Sequence, residues 1–427
     1  MTPAQDTGLR AWIQTTGGIA GILLLVQFVT GILLAFYYVP SVDHAHTTVS
    51  YIEKVVSSGS WLRSLHHYGS QWLSVFAFIH VIRLFLDRAY TSNRVQWIAA
   101  ILLFGLVMAA GGTGYSLPWD ARAFFSTRVA EGLMGGLPFV GGNVRLWLLG
   151  GSDISTLTLS RFFALHVLLI PALIAATIVW RVFGLNILKL FGPRHVFAGG
   201  VVFLALALWC WKHPAPLGPS VAEASAEYLP RPGSQFLWLY QSLKYIPGGL
   251  GSITGVVLPG IVLAVLIFLP WLKRARLIGG TLLGAGVVVI LLMTTASYLS
   301  DRRDQNTRKQ LSRQAAEEDA WRRQPFEPAR IALATTAATT TASAPVLYIK
   351  WCANCHGEHG EGARQGRVNF PPLLDVAAKP RRTVDDIVRL LKDPAAYDLQ
   401  PPMRSFSNKI TEQQMREIAE WIVKLKK

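Results

Sequence analysis

Charge is scarce in this chain: only 15% of its 427 residues are Asp, Glu, Lys or Arg, against 51% apolar. That balance excludes an ordinary soluble domain of this size and marks a protein that is mostly membrane-embedded. Acids are the scarcer sign, so the net charge is +16. The basic residues recur in short clusters between apolar runs instead of forming one tail, a pattern of membrane topology that argues against nucleic-acid binding. Cysteine is rare too, with three residues, which excludes a disulfide framework. No small-residue cleavage site follows the first apolar run, so that run is expected to stay as a membrane span.

Seven runs are long or apolar enough to be spans: about 17–39, 66–86, 95–117, 161–182, 196–211, 251–272 and 277–299. The fifth is the shortest. Short loops after the even-numbered spans hold Arg88 and Arg94, then Arg181, Lys189 and Arg194, then Lys273, Arg274 and Arg276. The positive-inside rule puts these in the cytoplasm and the C-terminus outside. The longer loops 118–160 and 212–250 then also lie outside.

Histidines stand within these spans. His66 and His80 are fourteen residues apart in WLRSLHHYGSQWLSVFAFIHVIR, close to four helical turns, so the imidazoles lie roughly 21 Å apart on nearly one face. An ionisable group in a span needs a partner or a metal, and this spacing suits two stacked haems; interface histidines bonded to neighbouring helices are the plainer reading. His166, near the outer end of the fourth span, is the natural partner of His66 for a bis-histidine haem. His80 would need a partner fourteen or fifteen residues after His166, where the chain has Trp180 and Arg181. The inner site has thus lost its second imidazole or takes an unseen ligand. Glycines repeat the spacing: Gly17 and Gly31 in the first span, and Gly114 in the third with Ala100 fourteen residues before it. A flat macrocycle packs between helices where side chains are absent.

Towards the C-terminus, Cys352-Ala353-Asn354-Cys355-His356 is a c-type haem attachment motif. Cys352 and Cys355 would form thioethers and His356 would bind iron. Met403, 47 residues further on, is the sixth-ligand candidate. His359 reads as a surface residue, and Cys210 as a small buried hydrophobe. The stretch ALATTAATTTASA ahead of the motif has no side chains able to build a core and reads as a tether.

GGIAGILLLVQFVTGILLAFYYVP, Arg63-x-x-His66, TGYSLPWD at 113–120 and Arg161-Phe162-Phe163-x-x-His166 resemble the cytochrome b of respiratory and photosynthetic bc complexes. The TGYSLPWD form is closer to the chloroplast and cyanobacterial branch, and residues 226–299 resemble that branch's subunit IV. The C-terminal domain resembles a class I cytochrome c. The resemblance implies that quinol is oxidised in an outer pocket, one electron passing to a Rieske iron–sulfur partner and the other through two haems to an inner quinone site. It gives Arg63 and Arg83 to haem propionates, and Tyr115, Pro118 and Trp119 to the border of the quinol pocket. It also implies a dimer within a complex.

The chain departs from the family at the fourth haem ligand, at Ala100, and at the PEWY motif, which reads Pro232-Gly233-Ser234-Gln235 and lacks the proton-carrying glutamate. Thr15 stands where the photosynthetic branch has a cysteine that tethers an extra haem, so that haem is not expected. The expected architecture is mainly α: a seven-span bundle with a haem-binding core at 1–195 and a subunit IV-like part at 196–300, a linker at 301–344, and a tethered small all-α cytochrome c domain at 345–427. The expected function is electron transfer from quinol to a cytochrome c-type acceptor, with at least one haem b and one haem c. The rival is a non-catalytic haem relay or docking subunit. The setting is a bacterial inner membrane, with lipid around the spans and the c domain and its electron acceptor in the periplasm.

Overall fold

The computed structural model describes residues 8, 12–151, 153–183, 192–221, 228–246, 248–326, 346–352, 356, 360, 362–365, 368–373, 383–397, 403, 405–407 and 410–425. Two compact units divide it, Met1–Phe326 and Glu327–Lys427.

In the first unit, seven of the described helices are long and apolar enough to cross a membrane. They are α1 (Thr16–Ala35), α3 (Gly59–Leu86), α4 (Arg94–Tyr115), α7 (Thr156–Arg181), α8 (Pro193–Lys212), α10 (Ile253–Trp271) and α11 (Ala275–Arg303). All seven expected spans are present, and α8, the shortest run in the sequence, is as long as α1 at 20 residues. Between them lie α2 (Ala45–Lys54), α5 (Ala121–Gly135), α6 (Gly141–Leu149) and α9 (Leu237–Tyr245). Backbone amides in hydrocarbon must be satisfied within the segment, which is why these apolar runs are helical.

Small residues bring the helices together. A Cβ on Gly199 of α8 would collide with Ile22 of α1, so the two backbones pack closely only because glycine stands there. Ile19, Leu23, Leu65, Leu73, Val107, Leu206 and Cys210 form a core shared by α1, α3, α4 and α8. A second core gathers Val81, Leu84, Trp97, Ile101, Leu266 and Leu283, where the Trp97 indole donates to the Leu266 carbonyl at 2.7 Å. Leu25, Leu168, Leu208 and Leu291 face outward, as the spans of an integral membrane protein require.

The first half of the expected linker belongs to this unit. After α11 the chain forms α12 (Gln305–Arg323), capped by Asp304, whose carboxylate accepts from the Asn306 and Thr307 amides. Its charged residues find partners on the bundle: Arg322 pairs with Glu53 at 2.6 Å, Glu318 accepts from the Leu217 amide at 2.5 Å, and Lys54 lies over the Trp321 ring. Residues 327–345, with the low-complexity tether sequence, lie outside the described residues.

The second unit contains α13 (Val346–Trp351), α14 (Val384–Lys392) and α15 (Glu412–Lys424), with one hairpin of β1 (Ala363–Gln365) and β2 (Val368–Phe370) that the sequence did not announce. Capping boxes at Thr383 and Thr411 start α14 and α15. Tyr348, Ile387, Leu391, Met415, Ile418 and Ile422 form its core, and the Tyr348 ring packs tilted against Trp421 with ring centres 4.3 Å apart.

Candidate haem sites

Three Thr-Gly pairs build the site in the bundle. Thr30-Gly31 of α1 receives His66 of α3: the Thr30 hydroxyl is 2.9 Å from His66 Nδ1, and a Cβ on Gly31 would stand 3.1 Å from His66 Cε1. Thr113-Gly114 of α4 receives His166 of α7 in the same way, at 3.4 Å and 2.5 Å. Thr16-Gly17, one level along α1, receives His80 at 3.1 Å and 2.8 Å. The fourth corner reads Ala99-Ala100 and has no histidine above it. Each glycine therefore seats an imidazole, and a threonine hydroxyl stands against each Nδ1.

The tautomers follow. Thr30 donates its proton to the Val26 carbonyl at 2.6 Å, so its oxygen must accept from His66 Nδ1–H. His166 Nδ1 donates to the Ala110 carbonyl at 3.0 Å. Both rings are left with a basic Nε2, the form that ligates a metal. His166 lies in a π-helical turn, Leu165–Leu169, a local irregularity common at functional sites. The ring centres of His66 and His166 are 6.0 Å apart. Two metal–imidazole bonds of roughly 2 Å each, plus about 1 Å from nitrogen to ring centre on either side, span a similar distance.

Both histidines, Gly31 and Gly114 line a cavity of about 430 Å³, which the same wall continues to Tyr115 and Pro118. Tyr115 donates to the Arg231 carbonyl at 3.0 Å. Trp119, expected beside them, is not among the cavity-lining residues. It adopts a positive φ of 51°, which turns its indole into a separate cluster with Ala45, Leu159 and Phe124. The Pro232-Gly233-Ser234-Gln235 stretch reaches the cavity through Gly233 and Gln235, and the Gln235 Oε1 is buried with no hydrogen-bond partner. Ser234 bonds to Gln71, whose Nε2 is 3.0 Å from His67 Nε2.

The two expected propionate arginines are both engaged by protein. Arg63 is buried, with Nε 2.7 Å from Glu53 and further bonds to the Ala215 and Pro216 carbonyls. It also lines the cavity. Arg83 pairs with Asp87 at 2.9 Å on the same helix. Arg122, also on the cavity wall, is opposed by burial, but Asp120, Tyr115, Tyr228 and Glu318 outweigh this and hold its guanidinium above the usual range.

At the His80 level the imidazole Nε2 is buried with no partner. Of the two residues opposite, Trp180 is exposed, whereas Arg181 has a buried Nε with no partner. His195, at the start of α8, escaped the sequence reading. It packs on Gly18, beside Gly17, and its Nδ1 is likewise buried and unpartnered. The doubled glycine was the available signal.

In the second unit Cys352 is buried, and His356 Nδ1 donates to the Pro371 carbonyl at 2.9 Å, leaving Nε2 as the ligating nitrogen. Met403 packs at the edge of the core. Cys355 and His359 lie outside the described residues.

A helical membrane bundle that seats imidazoles on glycine notches, joined to a small domain with a Cys-x-x-Cys-His run, has the make-up of a membrane cytochrome. The Cytochrome b/b6/petB family model matches residues 6–188, and the Cytochrome c model matches residues 343–426. The menaquinol:cytochrome c reductase cytochrome b subunit of Bacillus subtilis is 37% identical over 164 residues, covering 38% of this chain and 73% of that protein. The cytochrome b of Rickettsia prowazekii is 30% identical over 295 residues, 63% of this chain and 73% of that one. Among solved structures, a hyperthermophilic respiratory Complex III chain aligns with a TM-score of 0.47 at 18% identity, covering 67% of this chain and 91% of that chain. The chain belongs to the cytochrome b/b6 family and carries a cytochrome c domain at its C-terminal end. Those two domains imply haem b and haem c.

Proposed function

We propose that this chain is the membrane subunit of a quinol:cytochrome c-type oxidoreductase that passes electrons through a b haem held by His66 and His166 and a c haem held by Cys352, Cys355, His356 and Met403. The carrying observation is the pair of ring centres 6.0 Å apart within the same cavity that Tyr115, Pro118 and Gln235 line. A quinol in that cavity gives up two electrons and two protons, one electron going to the haem beside it. The other goes to an iron–sulfur partner, because with Cys352 and Cys355 given to the c haem this chain has only Cys210 left, one short of the pair such a cluster needs. Gln235 presents a buried, unpartnered oxygen that would accept a hydrogen bond from a ring hydroxyl. The complex sits as a dimer in a bacterial inner membrane, with the His66 level and the c domain on the periplasmic side, where a soluble acceptor collects the electrons.

Binding of a quinol-site inhibitor to the purified protein tests this reading. A red shift of the low-spin b haem on binding, weakened about tenfold by Gln235→Leu through the loss of one hydrogen bond, supports it. No binding at that cavity would leave the rival, a haem relay whose substrate site is in a partner. Gly233 in place of the family glutamate favours that rival, since glycine carries no proton.

A further inference from the structure

Three corners of the bundle carry a Thr-Gly cradle with its histidine, and the fourth has none of the three residues. Thr16-Gly17 holds His80 at distances that match those by which Thr30-Gly31 holds His66. Opposite, where a Thr-Gly pair would complete the pattern, the chain has Ala99-Ala100, and no histidine stands at Trp180 or Arg181. The glycines seat imidazoles, so Ala100 removes the seat of a fourth histidine and leaves the His80 side untouched. With Nδ1 turned to the Thr16 hydroxyl, the imidazole lies over Gly17, and its Nε2 is buried with no partner. A ring nitrogen so placed in a membrane interior calls for a hydrogen-bond partner or a metal.

We propose that the His80 level binds a second b-type haem through His80 alone, leaving the iron a coordination position beside Arg181 that takes a small exogenous ligand, anionic ones by preference. This rests on the haem-protein reading above. Arg181 itself does not ligate iron, because a guanidinium stays protonated and has no lone pair to give. Its Nε is buried and unpartnered, and its charge acts on His80 together with that of Arg83, which is already paired with Asp87. A cation in that position stabilises an anion on the iron and does little for a neutral diatomic. His195, on Gly18, is the one other described histidine at this level. It belongs to α8, which packs on α1 and α3, whereas Arg181 stands on α7.

The test uses the full-length protein in detergent. Pyridine haemochrome should give two protohaems per c haem. Low-temperature EPR of the oxidised protein should show one axial high-spin ferric signal beside the low-spin signals of the His66–His166 haem and the c haem. Carbon monoxide should shift the reduced high-spin b haem, and cyanide the oxidised one. His80→Ala should abolish the high-spin signal and one protohaem while both low-spin signals persist. Should that variant fail to accumulate, His80→Gly grown with imidazole should restore the signal in an imidazole-dependent manner. Arg181→Leu should weaken cyanide binding about tenfold and leave carbon monoxide affinity within about twofold. One protohaem per c haem overturns the proposal while sparing the His66–His166 reading; loss of all protohaem sinks both. Two low-spin b haems, one turned high-spin by His195→Ala, would assign the sixth position to His195 and overturn it as well. Cyanide affinity unchanged in Arg181→Leu overturns the role given to the guanidinium.

Discussion

Gly114 lies flat beneath the imidazole of His166, so close that a Cβ there would stand 2.5 Å from Cε1 and 2.9 Å from Nδ1. Gly31 stands in the same relation to His66, less tightly, at 3.1 Å. Any side chain at 114 must push the ring off its seat, and His166 is held by a buried carbonyl bond that does not follow. Gly114→Val is therefore expected to abolish the low-spin b haem of the His66–His166 pair, and Gly31→Ala to reduce its occupancy while leaving the protein folded, at a cost of about 1–3 kcal/mol for the overpacked methyl. Protohaem content against c haem content, measured by pyridine haemochrome, checks the order of the two. Equal occupancy in both variants would show that the glycines serve helix packing alone.

Thr30 sets the electronic character of His66. Its hydroxyl accepts from Nδ1–H, which raises electron density on Nε2 and favours ferric iron. Thr30→Val keeps the shape and removes the acceptor, so the midpoint of that haem should rise. A hydrogen bond worth about 1 kcal/mol, acting wholly on the ferric state, corresponds to roughly 40 mV for one electron. Redox titration of the b-band in the variant reads this directly; an unchanged or lower midpoint refutes the assignment.

Much of this was legible beforehand because helices convert sequence spacing into spatial levels. The fourteen-residue intervals of His66 to His80 and Gly17 to Gly31 are visible in the string, and so is the break at Ala100. The threonine preceding each intact glycine was equally visible and went unread. It acquires meaning only when the hydroxyl is found against an imidazole 36, 53 or 64 residues away. Trp119 sits in a motif whose resemblance points to the pocket, but one left-handed residue turns it into the core, and backbone sign is not written in side-chain type. The charged run after α11 reads, taken locally, as a charged part of the linker. Its anchors, Arg322 to Glu53 across 269 residues and Glu318 to Leu217 across 101, are tertiary and leave no periodic trace.

Asp304 makes the start of α12 sensitive to acid. Thr307, through its hydroxyl and its amide, holds the carboxyl below the usual carboxylate range, since only the ionised form accepts both bonds well. A carboxyl depressed in the folded state contributes its stabilisation above its unfolded pKa and loses it as pH falls through the folded one. Hydrogen exchange over 305–312 should accordingly quicken as pH is lowered below about 4, after correction for the intrinsic rate. Asp304→Asn, which caps without ionising, should show a flatter response than the parent. Identical profiles would place the acid sensitivity elsewhere in the helix.

Glu53 joins α12 to the cavity wall. Its side chain is 1% exposed, between Arg63 at 2.7 Å and Arg322 at 2.6 Å, with Ser60 donating to it at 2.8 Å. Glu53→Gln leaves two guanidinium groups facing a neutral amide in a buried setting, and breaking a buried pair from one side costs about 3–5 kcal/mol. Arg322→Gln leaves Glu53 still paired with Arg63, and Arg322 is the more exposed partner at 20%, so that change should cost nearer 1 kcal/mol. Both should loosen α12, seen as faster hydrogen exchange over 305–323, but only Glu53→Gln should also disturb Arg63 and with it the b haem spectrum. Urea unfolding in detergent gives the two energies. Equal losses would mean that Arg322 carries the load and that Glu53 is not the link between the docked helix and the haem cavity.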